Sequence, residues 1–232
     1  EDADRGEHQP GQDRARAEHL EPVVEHAVLR HSGDQLVGDD HPGGPELSDR
    51  RIANGATDPF GIKLRCLGNQ RDGPWQIGHM PLSKYVDKHK AVVDAMRTVD
   101  PAIEPIAVGA VGEWSQTMLR DASTHMAHLS EHLYWQSKPE VPAHVAQAVE
   151  GIRKVAEAHR AYRRDIPALK GKDIRIALDE WNYWYGPNEY GELGTRYFLQ
   201  DGLGIAAGLH ELFRNSDLYF MANYAQTVNV IG

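Results

Sequence analysis

The sequence predicts an α/β fold organised as part of a (β/α)8 barrel. Three observations carry this reading. Beyond Pro59, short apolar runs alternate with longer amphipathic stretches. Each apolar run leads into polar or aromatic side chains capable of chemistry, and barrels and open parallel sheets gather their sites at the carboxyl ends of strands. Only five runs qualify as strands, too few to close an eight-stranded barrel.

The first run, "IKLRCLGN" (62–69), leads to Asn69 and Gln70. Tyr85, His89, Val92 and Met96 then recur at helical spacing. The second run, "IEPIAVGA" (103–110), is followed by Glu113, a carboxylate suited to a helix start. The third, "HMAHLSEHLYW" (125–135), precedes a helical pattern at Val145, Val149, Ile152 and Ala156. The fourth, "DIRIALDEWN" (173–182), precedes a helix whose apolar stripe is Leu199, Leu203, Ala206, Leu209 and Phe213. Gly202, Gly204 and Gly208 cost that helix stability, so they are read as allowing close packing on the sheet. The fifth run is "LYFMANYAQ" (218–226).

Residues 1–40 read differently from 41–232. Positions 1–50 hold 13 of the 34 acidic residues against 5 of the 25 Lys and Arg, and all 18 aromatics fall at Phe60 or later. A segment so acidic and so poor in large side chains buries little surface against the entropy of ordering, so disorder is expected, with one short helix around Leu20–Leu29. The remainder is expected to be one partial barrel domain.

Composition also excludes classes of function. A net charge of -9 argues against nucleic acid as partner. No apolar run is long enough to span a bilayer, and no signal-peptide pattern opens the chain, so the cytoplasm is the default compartment. A single cysteine, Cys66, rules out an internal disulfide. Phosphate-binding glycine loops and a GxSxG elbow are absent. No cofactor and no metal are expected; homo-oligomerisation stays open.

"LDEWNYWY" (178–185) sets Glu180 beside Trp181, Trp184, Tyr185 and the amide of Asn182. Glycoside hydrolysis needs such a set: a carboxylate, apolar faces for sugar rings, and hydrogen bonds to hydroxyls. The same residues suit a strand end whose aromatics fill a core. "GNQRDGPWQIG" (68–78) has the form of an active-site loop, yet its carboxylate is Asp72 alone, and a Gly-Pro turn accounts for it equally. In "SEHLYW", His132 and Tyr134 lie two apart and share one strand face. His125, His128 and His132 would suit a metal on a helix, but a strand divides them between faces.

Taken in order, "HPGGPELSDRRIANGATDPFGIKLRCLGNQRDGPWQIGHM", "VDPAIEPIAVG", "LSEHLYW", "IALDEWNYWYGP" and "MANYAQTVNVIG" resemble α-L-arabinofuranosidases of glycoside hydrolase family 51. The resemblance runs from about His41 to Gly232. It implies strands four to eight of a (β/α)8 barrel, with the family's β-sandwich domain absent, and a cofactor-free retaining exo-hydrolase. Such enzymes release arabinofuranosyl groups from arabinan or arabinoxylan. It casts Glu180 as nucleophile, Asn69 as a sugar ligand, His132 and Tyr134 as orienting groups, Gln226 as a sugar contact and Trp75 as a cleft wall. The family's acid/base Glu is Gln70 here, so impaired turnover is expected. The alternative is a non-catalytic carbohydrate-binding protein.

Overall fold

The computed structural model describes residues 46–186 and 196–225. Residues 1–40 and Gln226 lie outside them. The described residues fall into two compact units, the first reaching Ile62 and including Thr98–Pro101, the second formed by Lys63–Arg97 and the chain from Ala102 on. The first unit contains α1 (Glu46–Ala53), an element absent from the sequence reading. Glu46 and Asp49 occupy its first turn and Arg50 and Arg51 its last, the arrangement a helix dipole favours.

The second unit is a five-stranded half-barrel. Strands β1 (Leu64–Cys66), β2 (Glu104–Val108), β3 (His128–Trp135), β4 (Arg175–Tyr183) and β5 (Tyr219–Tyr224) are all parallel and stand in chain order. Helices α2 (Leu82–Arg97), α3 (Glu113–Asp121), α4 (Val141–Asp165) and α5 (Leu199–Arg214) form the crossovers. All five expected strands are present, each shorter than its apolar run, and β4 ends one residue past its run. Glu113 is the first residue of α3, as expected for a carboxylate at a helix start. Helix α4 has Pro142 in its first turn and stops before Pro167, the two places where proline suits a helix boundary.

Two apolar clusters bind helices to the sheet. One gathers Tyr85, Val108, Met118, Leu129 and Tyr162; the other gathers Trp135, Ile152, Leu178, Trp181, Tyr183 and Leu212. Buried polar groups join them in pairs. Glu131 on β3, 2% exposed, accepts from Ser115 of α3 at 2.8 Å and from His159 of α4 at 2.9 Å. Lys138 N–H donates to His144 Nδ1 at 3.1 Å, so His144 Nε2 carries the hydrogen that bonds Asp201 at 2.7 Å. Asp201 also accepts from the Phe198 N–H, capping α5, and from the Tyr185 hydroxyl.

Helix α5 departs from expectation. Its buried residues are Asp201, Gly204, Gly208, Glu211 and Leu212, while Leu199 is 82% exposed and Phe213 69%. The expected stripe therefore faces away from the sheet. Asp201 and Glu211 can be buried because His144 and Arg153 partner them, and a polar pair of this kind leaves no trace in apolar spacing. Close packing at Gly204 and Gly208 is as expected: a Cβ there would lie 2.0 Å from the Tyr183 hydroxyl oxygen and 3.1 Å from Ile152. Gly202 meets nothing within 4 Å and does not share that role. In α4 the buried line is Ala148, Ile152, Val155 and Ala156, so Val145 and Val149 flank it.

His89 in α2 is buried, with Nε2–H donating to the His125 carbonyl at 2.9 Å and Nδ1 unpartnered. Burial first, then the neighbouring His125, Arg97 and Lys90 charges, lower its pKa from 6.5 to about 4. Folding thus favours the neutral ring. The stability this contributes is complete above the unfolded pKa and is lost as pH falls from 6.5 towards 4, about 3 kcal/mol in all. His89→Gln should flatten that part of the melting-temperature profile. An unchanged acid slope in the variant would reject the assignment.

Candidate active site

The site is built on the face of β3 and β4 opposite the helices. On β3, Leu129, Glu131, Leu133 and Trp135 face the helices, which turns His128, Ser130, His132 and Tyr134 the other way. The expected pairing of His132 with Tyr134 on one face holds. His128 shares that face but stacks on Phe220, ring centroids 3.9 Å apart, and no cluster suited to a metal occurs among the described residues.

On β4 the helix-facing residues run Ile176, Leu178, Trp181 and Tyr183, so their spacing changes from two to three after Leu178. The ladder shows why. Leu178 pairs with Glu131 and Glu180 with His132, leaving Asp179 as the extra residue of a β-bulge. The bulge brings both Asp179 and Glu180 to the inner face. Glu180 Oε2 accepts from the Tyr134 hydroxyl at 2.9 Å and lies 3.5 Å from His132 Nδ1. Burial, then the Glu180 hydrogen bond, raises the Tyr134 pKa, so its hydroxyl stays a donor across the physiological range.

Asp179, which the sequence reading passed over, meets Cys66 Sγ at 3.7 Å, and its Oδ1 is buried without a partner. Burial is the largest cause of its raised pKa. Periodicity alone gives no hint of it, because a bulge breaks the period that would be used to look for it.

The loop after β1 closes the arrangement. Gln70 adopts φ 44°, a left-handed backbone uncommon outside glycine, and its carbonyl accepts from Gly73 N–H at 2.9 Å. Its side chain receives Trp75 Nε1–H at 2.7 Å and Gln76 Nε2–H at 3.2 Å on Oε1, and its Nε2 lies 2.9 Å from His132 Nδ1. The Trp75 ring lies over Gly73, where a Cβ would be 2.4 Å from it. Trp75 itself is 71% exposed. Asn69 is exposed next to Gln70 and makes none of these bonds.

Of the two readings left open for "LDEWNYWY", the core-filling one holds for Trp181, and the expected sugar-bonding amide of Asn182 is corrected. Trp181 is 2% exposed and packs against α4 and α5, so it offers no face to a sugar. Asn182 is fully buried, donating to the Ala225 carbonyl and the Tyr197 hydroxyl, both at 2.6 Å, and accepting from Tyr183 N–H. It straps the end of β5 to β4. Trp184, edge-on to Tyr134 at 6.2 Å, is the aromatic left beside the site. A separate groove of about 560 Å³ between α2 and α3 shares no residue with it.

Residues 179–232 match the α-L-arabinofuranosidase C-terminal domain model. Over 212 residues the chain is 34% identical to an intracellular exo-α-(1→5)-L-arabinofuranosidase of Streptomyces lividans, covering 82% of this chain and 32% of that protein. With the Acetivibrio thermocellus protein of the same name it is 32% identical over 214 residues, covering 82% and 42%. The arabinose complex of the Thermotoga maritima α-L-arabinofuranosidase superposes with a TM-score of 0.79 at 28% identity, covering 88% of this chain and 42% of that one. The chain belongs to the family 51 α-L-arabinofuranosidases. This family-51 chain spans less than half the length of the curated relatives it matches, and no described helix is long and apolar enough to cross a membrane.

Proposed function

We propose that this chain carries the nucleophile-bearing part of a retaining exo-acting glycoside hydrolase for α-L-arabinofuranosyl groups of arabinan- or arabinoxylan-type glycans. Its five strands are then the fourth to eighth of the barrel. The observation that carries the reading is Glu180 beside Gln70, both meeting one nitrogen of His132, at 3.5 and 2.9 Å. Two groups sharing a nitrogen lie short of the ~6.5–9.5 Å that inverting enzymes keep open for water, and suit the ~5–5.5 Å of retaining ones.

In this scheme the Glu180 carboxylate attacks the anomeric carbon and the aglycone oxygen departs with the bonding pair. Water then attacks the arabinosyl ester and frees Glu180. The Tyr134 hydroxyl donates to Glu180 Oε2 and so orients the carboxylate, and Trp75 and Trp184 flank the sugar. Asn69 and Gln226 complete the proposed sugar contacts. Gln70 has no proton to give, so departure of an unactivated aglycone and activation of water both go unassisted. That same fact favours a second reading, in which the site binds arabinofuranosides with little turnover.

The test is peptide mass mapping after incubation with a mechanism-based arabinofuranosyl label bearing a good leaving group. Label is expected on the peptide containing Glu180 and is absent in Glu180→Gln. Label on Glu113 or Asp72, with Glu180 unmodified, overturns the assignment.

A further inference from the structure

We infer that Gln70 does more than withhold a proton: it fixes His132 as the tautomer bearing its hydrogen on Nε2, so that His132 turns a lone pair, not a proton, towards Glu180. The argument starts from Trp75. An indole N–H can only donate, and it stands 2.7 Å from Gln70 Oε1. That contact sets which way the amide faces, because the reversed amide would put two donors together. Gln76, an amide that can present either of its ends, follows this choice with its amino group 3.2 Å from the same oxygen. The Gln70 amino group therefore faces His132 Nδ1 at 2.9 Å, and Nδ1 has to accept.

Nδ1 is also the nitrogen 3.5 Å from Glu180 Oε2. While it accepts from Gln70 it carries no hydrogen for Glu180, which keeps the Tyr134 hydroxyl as its donor from β3. A carboxylate at position 70 reverses this. It still accepts from Trp75 and Gln76, but its second oxygen calls for a hydrogen on Nδ1, and that hydrogen lies within reach of Glu180 as well. Gln70 is thus a positioning residue acting through His132, held in place by an indole that is itself largely exposed. The effect on Glu180 as nucleophile rests on the proposed function; the tautomer does not.

The full chain labelled with nitrogen-15 in histidine gives the test, through two-bond proton–nitrogen correlations at mildly alkaline pH, with His132 identified by its loss in His132→Asn. The parent chain should show His132 protonated on Nε2 alone. Trp75→Phe, at an exposed position that spares the fold, should release the amide and give a tautomer mixture. Gln70→Glu should move the hydrogen to Nδ1. A parent chain with hydrogen on Nδ1, or an Nε2 pattern unchanged in both variants, overturns the inference. The spectrum needs no turnover, so it can fail while Glu180 still takes the label, and the reverse.

Discussion

Gln70→Glu is expected to raise hydrolysis of an arabinofuranoside with a poor leaving group by about 100- to 10,000-fold, the usual contribution of general acid/base catalysis. A substrate with an activated phenol should gain far less in the first step, because its leaving oxygen needs little help from a proton. The existing hydrogen bonds prepare the site for the change. Trp75 and Gln76 already point donors at Oε1 of residue 70, and a glutamate of the same length inherits both. The measurement is kcat/KM for the two substrates in parent and variant. Equal gains on both, or none on either, would falsify the assignment of position 70 as the acid/base.

The largest structural effect is expected at Gly109, just past β2. A Cβ there would lie 2.1 Å from the Ser130 carbonyl oxygen, with Leu129 and Glu131 atoms at 3.0 and 3.1 Å. The first of these is backbone of the neighbouring strand and cannot swing aside. Gly109→Ala therefore forces β2 and β3 apart where they are joined by the pairs Ile106–His128, Ala107–Leu129 and Val108–Ser130. Overpacking of a core costs about 1–3 kcal/mol, and a clash against a strand belongs at or above the upper end. Denaturant titration should show the midpoint falling with loss of cooperativity. A variant as stable as the parent would mean that the strands can part without cost.

How far the sequence disclosed this arrangement depends on which force sets each position. The five strands were legible because apolar runs report burial in a parallel sheet directly. His132 and Tyr134 were legible as partners because a strand has period two, and the extra residue of the β3–β4 ladder lies on β4, not on β3. Glu180 stands out in the sequence through its neighbours, although only one of those aromatics, Trp184, lies near it and Tyr134. Trp181 went to the core because the bulge at Asp179 turned it to the helix side. A bulge adds one residue without altering composition, so no reading of spacing locates it. The α5 error has another source. Helix burial there follows the partners His144 and Arg153, which come from elsewhere in the chain and pair with Asp201 and Glu211 only once the fold exists.

The strand order carries a consequence for how the chain assembles. Each strand pairs with the one made just before it, so a growing chain can add one βα unit at a time to an edge that already exists, and no step waits for a distant segment. The ladders are unequal: β3 and β4 pair along eight residues, β1 and β2 along three. Protection of backbone amides against exchange should therefore be deepest at the β3–β4 seam and shallowest at β1. The loop that holds Gln70 hangs from that short strand, so its grip on His132 is expected to open before the β3–β4 seam does.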